Sequence, residues 1–226
     1  TNENAKEPVQ IKMDKRVKQI SAGTNYIVVL TEDGQVYTSG ENNYGQLGNG
    51  NSSNQKALVN VLDENGEILE NIVRVSIKGN TTYAQDVDGN VYTFGENHHK
   101  VAEKITDLDV VCEISGEYAI TRENKVVKLS TKELVPGLEN IIKIAQGNNH
   151  ALFLSKDKTV YAIGQNANGQ CGVGTKVNCT TPIQVKNNIG TDILKNVKDI
   201  SAGNNYSIAV LENGDVYAWG SNKNNV

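Results

Sequence analysis

The sequence predicts an all-β chain built from repeated hairpins, and three observations carry that reading. A Val-Tyr-x-x-Gly anchor recurs at Val36-Tyr37…Gly40, Val91-Tyr92…Gly95, Val160-Tyr161…Gly164 and Val216-Tyr217…Gly220. Asp33-Gly34, Asp88-Gly89 and Asn213-Gly214 stand just ahead of three of these anchors, and such dipeptides are strong hairpin signals. The flanking runs, such as Tyr206-Ser207-Ile208-Ala209-Val210, alternate in polarity and are rich in β-branched residues, with no helical period of any length. Short hairpins repeated in this way predict the blades of a β-propeller, whose edges are short and protected.

The anchors set the units. From Val36 to Val91 is 55 residues and from Val160 to Val216 is 56, whereas Val91 to Val160 is 69. The wider gap holds a compressed unit at residues 111–129, with Asn124-Lys125 as its turn. Each full unit opens on an apolar strand with a Gly near its end (Gly23, Gly79, Gly147, Gly203). An Asn follows each anchor, at Asn42, Asn97, Asn166 and Asn222. Long units add a closing strand, at Ala57–Val61 and Pro182–Val185. The expected units are residues 17–72, 73–110, 111–141, 142–196 and 197–226, together one domain over 1–226. The last unit lacks its closing strand, and Pro8-Val9-Gln10-Ile11 is similar to Pro182-Ile183-Gln184-Val185, so residues 1–16 are a candidate strand to close it. About five units leave two outcomes open, a small closed ring or part of a larger one.

Composition narrows the function. With 226 residues, one all-β domain can bury a sizeable core. Charged residues are 21% of the chain, the net charge is −4, and the cations are scattered singly. Nucleic-acid binding needs clustered cations to displace counterions, so it is not expected. No apolar run approaches the roughly 18 residues of a membrane-spanning helix, and no signal peptide is visible. Cys112, Cys171 and Cys179 are too few for a disulfide framework. Only three of the 22 Lys and Arg residues are Arg, in an Asn-rich chain, which reads as a bacterial background. An extracellular or cell-surface location is expected, with the cytoplasm left open.

Downstream of the anchors the units continue Gly40-Glu41-Asn42-Asn43-Tyr44-Gly45-Gln46-Leu47-Gly48-Asn49-Gly50 and Gly164-Gln165-Asn166-Ala167-Asn168-Gly169-Gln170-Cys171-Gly172-Val173-Gly174. With Ala-Gly upstream and Pro182-x-x-Val185 downstream, this resembles the regulator-of-chromosome-condensation (RCC1-like) repeat family. Four submotifs fall in the right order, closely in units one, four and five and weakly in units two and three. The resemblance implies a β-propeller, commonly of seven blades. Members of that family act as exchange factors for small GTPases, chromatin binders, ubiquitin-ligase modules or a secreted enzyme inhibitor, so the fold does not fix the function.

No residue pattern argues for catalysis. His150 occupies the slot of Tyr26 and Tyr206, which reads as structural. His98-His99 are adjacent, with no carboxylate or Cys at a metal-ligand spacing recognised beside them. The segments at Gly45 and Gly169 lead into no helix and read as positive-φ turns rather than phosphate cradles. Asp107 and Asp109 imply no shared pocket. Cys171 stands in the position of Leu47 and is expected to be buried, as is Cys112; a Cys171–Cys179 disulfide is open in an oxidising compartment. Trp219 falls where Ser39, Phe94 and Ile163 stand and reads as core filler.

The expected functional surface is therefore loop-built. The candidate binding residues are Thr24, Asn25, Asn80, Thr81, Asn148, Asn149, Asn204 and Asn205, a polar ring on one propeller face. The chain is read as a non-enzymatic interaction scaffold with no cofactor or metal. Its partner is expected to be a protein or a glycan. The alternatives are a guanine-nucleotide exchange factor for a small GTPase or a secreted enzyme inhibitor.

Overall fold

The computed structural model describes residues 6–187 and 190–222. Five antiparallel sheets follow one another along the chain, and each is a consecutive meander. Unit one holds β1 (Val17–Ala22), β2 (Tyr26–Thr31), β3 (Val36–Gly40) and β4 (Gln55–Asn60). Unit two holds β5 (Ile72–Lys78), β6 (Thr81–Asp86), β7 (Val91–Gly95) and β8 (Glu103–Lys104). Unit three, the compressed one, holds β9 (Val111–Ser115), β10 (Tyr118–Thr121), β11 (Val126–Lys128) and β12 (Glu133–Leu134). Unit four holds β13 (Ile141–Gln146), β14 (His150–Ser155), β15 (Val160–Gly164) and β16 (Cys179–Gln184). Unit five holds β17 (Val197–Ala202), β18 (Tyr206–Leu211) and β19 (Val216–Gly220). Units two and four each begin one residue earlier than expected. This is a β-propeller of five repeats.

The anchor glycine, present in four copies, shows why the motif reads as it does. Gly40, Gly95, Gly164 and Gly220 have φ between 107° and 123°. A Cβ there would lie 2.4, 2.1, 2.4 and 2.5 Å from the carbonyl oxygens of Asn25, Asn80, Asn149 and Asn205. Those carbonyls accept hydrogen bonds from the amides after each anchor, of Glu41, Glu96, Gln165 and Ser221. Only glycine tolerates both the backbone conformation and the approach.

The core lies between sheets. Tyr26, Val28, Leu30 and Val36 of unit one pack on Ile72, Val75, Ala84 and Phe94 of unit two, and most of these slots are apolar again at the later junctions, with Thr81 and Gln85 of unit two as polar exceptions. A polar latch accompanies the packing. The Tyr26 hydroxyl meets Thr82 Oγ1 at 3.1 Å at the junction of units one and two, and His150 Nε2 meets Ser207 Oγ at 2.8 Å at the junction of units four and five. His150 is thus structural and bonds a strand of the next unit.

Both end faces are uncovered. Ile20 is 75% exposed, whereas its counterparts Val75, Ile114, Ile144 and Ile200 are 2%, 4%, 3% and 4% exposed. Val216 is 65% exposed, whereas Val36, Val91, Val126 and Val160 are fully buried. The five sheets therefore form an open array rather than a small closed ring. Residues 8–11 form no strand and the fifth sheet has three, so the described part of 1–16 does not close the last unit. Instead Ile11 and Met13 lie with Val17, Ile20, Val29 and Leu58 around an apolar cavity of about 480 Å³ on the open face of unit one.

Candidate functional site

The β1–β2, β5–β6 and β13–β14 turns meet around a shallow cavity of about 270 Å³, lined among others by Thr24, Ile77, Lys78, Gly79, Gln146 and Asn148. Its most distinctive group is Lys78. The ammonium donates to the carbonyls of Asn148 and Gly147, so a side chain of unit two reaches a turn of unit four. It crosses unit three because that unit is cut short there. Gly116-Glu117 alone link Ser115 to Tyr118, whereas residues 22–27 link the equivalent pair Ser21 and Val28. Burial lowers the Lys78 pKa, an effect opposed by the nearby Glu117 carboxylate and reinforced by Lys128.

Lys78 occupies a position that other units give to glycine. The strand partners of the anchor glycines are Tyr26, Thr81, His150 and Tyr206, which sets the register between units. In that register Lys78 matches Gly23, Gly147 and Gly203. A Cβ on those three would come within 2.2, 2.5 and 2.4 Å of the rings of Tyr26, His150 and Tyr206. Unit two has Thr81 in the ring's place, so a long side chain fits. Alignment on Gly79 alone hides this by one residue; alignment on Gly95 reveals it.

The expected ring is rearranged accordingly. Thr24 and Asn148 line the cavity. Asn25, Asn80 and Asn149 turn their amides to Glu41, Glu96 and Gln165 of their own sheets, at 2.8, 3.2 and 3.3 Å, and do not line the cavity. Thr81 lies inside β6, 9% exposed, and is no loop residue. Asn204 is exposed and Asn205 holds Ser221 through its carbonyl, but neither lines the cavity.

A second polar cluster organises the long inserts. Asn42 and Asn166 are fully buried. The Asn42 amide donates to the carbonyls of Asn51 and Ser53 at 3.0 and 3.1 Å, and its Oδ1 accepts from Leu47 N at 3.0 Å. Asn166 repeats this with Thr175, Val177 and Cys171 at 2.8, 3.0 and 2.9 Å. In units one and four the Asn after the anchor is thus a hub for the insert, whereas Asn97 and Asn222 are exposed.

The remaining candidates resolve plainly. Trp219 packs into the core between units four and five, and its indole N–H donates to the Gln170 carbonyl at 2.9 Å. Ser207 Oγ–H also donates to that carbonyl, at 2.8 Å, so His150 donates through Nε2–H and its buried Nδ1 has no partner. Burial lowers the His150 pKa to about 4, with Lys78 adding to the effect. His99 Nδ1 lies 2.8 Å from the Glu103 carboxylate, a partner four residues on that the sequence reading overlooked. Cys112 is exposed, against expectation, because it is the extra residue of a bulge in β9, skipped between the Val111–Thr121 and Glu113–Ile120 pairs. Among the described residues no group of His, Cys, Asp and Glu is placed to hold a metal ion.

This architecture defines a repeat propeller whose faces are built from turns on a rigid scaffold. The chain belongs to the regulator of chromosome condensation (RCC1) repeat family: one family model of that repeat matches residues 33–78 and 157–210, and a second matches 17–46, 141–170 and 197–225. Residues 79–140, which hold the Lys78–Thr81 exchange's downstream half and the shortened unit, fall outside both matches. The chain is 29% identical over 230 residues to Protein pim1 of Schizosaccharomyces pombe, covering 96% of this chain and 39% of that protein. It is 27% identical over 211 residues to the E3 ubiquitin-protein ligase HERC2 of Mus musculus, covering 92% of this chain and 4% of that protein. Among solved structures, human WBSCR16 aligns with a TM-score of 0.76 at 18% identity, covering 90% of this chain and 60% of that one. Prp20p of Saccharomyces cerevisiae, in a structure titled for its binding to Gsp1p and histones, aligns with a TM-score of 0.73 at 21% identity, covering 90% and 57%. The chain thus spans well under two thirds of each of these proteins. These relatives are eukaryotic, and the bacterial reading of the composition gains nothing from them.

Proposed function

We propose that the chain is a non-enzymatic protein-interaction scaffold and that its partner docks over the cavity formed by units one, two and four. The observation that carries this is Lys78, a cation held at the mouth of a loop-built cavity between Thr24 and Asn148. Backbone turns from several rigid sheets fix its position, as a recognition surface requires. Prp20p, which shares this fold, is described as binding Gsp1p and histones, and this favours a protein over a glycan. An extracellular or surface location remains part of this proposal. The ligase activity in the HERC2 name is not transferred, because the chain spans 4% of that protein.

Photo-crosslinking tests the reading. A photoreactive residue at Thr24 or Asn148 is expected to capture the partner, whereas one at Lys176 in the unit-four insert is not. Lys78→Glu should weaken capture at least tenfold. Equal capture from Lys176, or none of these changes affecting it, would sink the proposal. The second reading, nucleotide exchange on a small GTPase, draws on Gsp1p in the Prp20p title. It predicts accelerated release of labelled guanine nucleotide from such a GTPase, and a flat release rate removes it.

A further inference from the structure

We propose that Cys171 and Cys179 are an oxidation-sensitive pair that closes to an intrachain disulfide and staples the insert of unit four. Both thiols are buried, 0% and 2% exposed, in the core between units four and five. They converge on one backbone position. Cys179 is the strand partner of Gly164, and Cys171 Sγ lies 3.8 Å from the Gly164 carbonyl. Asn166 clamps the two segments together, taking Cys171 N on its Oδ1 and giving its amide to Val177. Cys171 Sγ also lies 3.5 Å from the Gln165 carbonyl, and Cys179 Sγ lies 4.0 Å from the Val177 carbonyl. Unit one offers an internal comparison. There Leu47 fills the slot of Cys171, and Gln55 pairs with Gly40 as Cys179 pairs with Gly164. Unit four has thus exchanged two different residues, eight apart in sequence, for two thiols that flank one backbone position in the same core.

The chemistry with oxidised glutathione balances. One cysteine thiolate attacks the glutathione disulfide and releases one glutathione thiol, leaving a mixed disulfide. The second cysteine attacks that sulfur and expels the other glutathione. One S–S bond is lost and one gained, two electrons pass to glutathione, and the two cysteine protons end on its thiols. Burial raises the Cys171 pKa and disfavours the thiolate, so exchange requires this insert to open. The staple would fix the loop that carries Gln170, whose carbonyl receives both Trp219 and Ser207 of unit five.

The test refolds the whole chain from urea in oxidised or reduced glutathione, quenches in acid, alkylates and maps tryptic peptides without reductant. Lys176 lies between the two cysteines. The oxidised sample should therefore hold peptides 159–176 and 177–186 joined as one species that reductant separates, with Cys112 outside the link. Closing so short a loop should raise the melting midpoint by about 5–10 °C over the reduced sample. The double variant Cys171→Leu/Cys179→Gln carries the residues of unit one and is checked for β-structure by circular dichroism. Its midpoint should be the same in both buffers. Singly alkylated or glutathionylated Cys171 and Cys179 after oxidative refolding, a link through Cys112, or a midpoint shift that persists in the double variant would each overturn the proposal.

Discussion

Four units place an isoleucine at one equivalent position of their first strand, and this provides an internally controlled experiment. Ile114, Ile144 and Ile200 are 4%, 3% and 4% exposed, whereas Ile20 is 75% exposed on the open face of unit one. Replacement by Ala removes three carbons, worth about 0.8 kcal/mol each when fully buried, or about 2.4 kcal/mol. The cavity left behind adds to this, giving about 2–5 kcal/mol for Ile144→Ala and Ile200→Ala. Ile20 retains about a quarter of that burial, so Ile20→Ala should cost about 0.6 kcal/mol and form no cavity. Urea unfolding is the assay, followed by far-ultraviolet circular dichroism and by fluorescence of Trp219. Two probes are needed because repeat arrays can unfold in parts, and Trp219 reports the junction of units four and five. An Ile20→Ala cost of 2 kcal/mol or more would refute the reasoning, since it would mean that this face is covered in solution.

Three further outcomes follow from the same geometry. Asn42→Ala should cost about 2–4 kcal/mol in urea unfolding, through the lost amide bonds and the orphaned carbonyls of Asn51 and Ser53, and should speed amide exchange at Leu47. Gly164→Ala, at φ 112° with its Cβ 2.4 Å from the Asn149 carbonyl, should cost at least about 1–3 kcal/mol by thermal melting, whereas Gly66→Ala, at φ 80° with open space around it, bears only the backbone strain. His150 has a folded pKa depressed from 6.5 to about 4, so the unfolded chain binds more protons between those values and stability falls as pH falls through that window. The loss should be about 2 kcal/mol from pH 7 to pH 5. It should vanish in His150→Tyr, which restores the ring that Tyr26 carries in unit one.

Much of this was legible because repetition supplies its own alignment. Gly40 and Gly164 show their need for glycine in four copies, and Asn42 and Asn166 recur at a fixed step from the anchor. What was missed depended on register or on distant partners. Lys78 was hidden by an adjacent glycine that drew the alignment one residue off, and Thr81 was drawn into a loop by the same slip. The latches from Tyr26 to Thr82 and from His150 to Ser207 join residues 56 and 57 apart, close to the repeat length, and no local pattern announces them. Pro8–Ile11 looks like a closing strand by composition, yet among the described residues it pairs with no strand although the outer edge of β19 is open, and Ile11 lies beside the open face of unit one instead. Cys112 has apolar neighbours in sequence, while a bulge in β9, which no local pattern announces, leaves it without a strand partner and exposed.

The contact of Lys78 with Gly147 and Asn148 has a consequence for how the array responds to disturbance. A stack in which each repeat touches only its neighbours behaves as a one-dimensional chain of coupled switches, and a weak link in the middle divides it into independent halves. Unit three is the shortest link, and Lys78 spans it. When the hairpin of unit three opens, units two and four are still tied through a path that does not run along the sheet stack. Cooperativity is thereby passed around the smallest blade as well as through it.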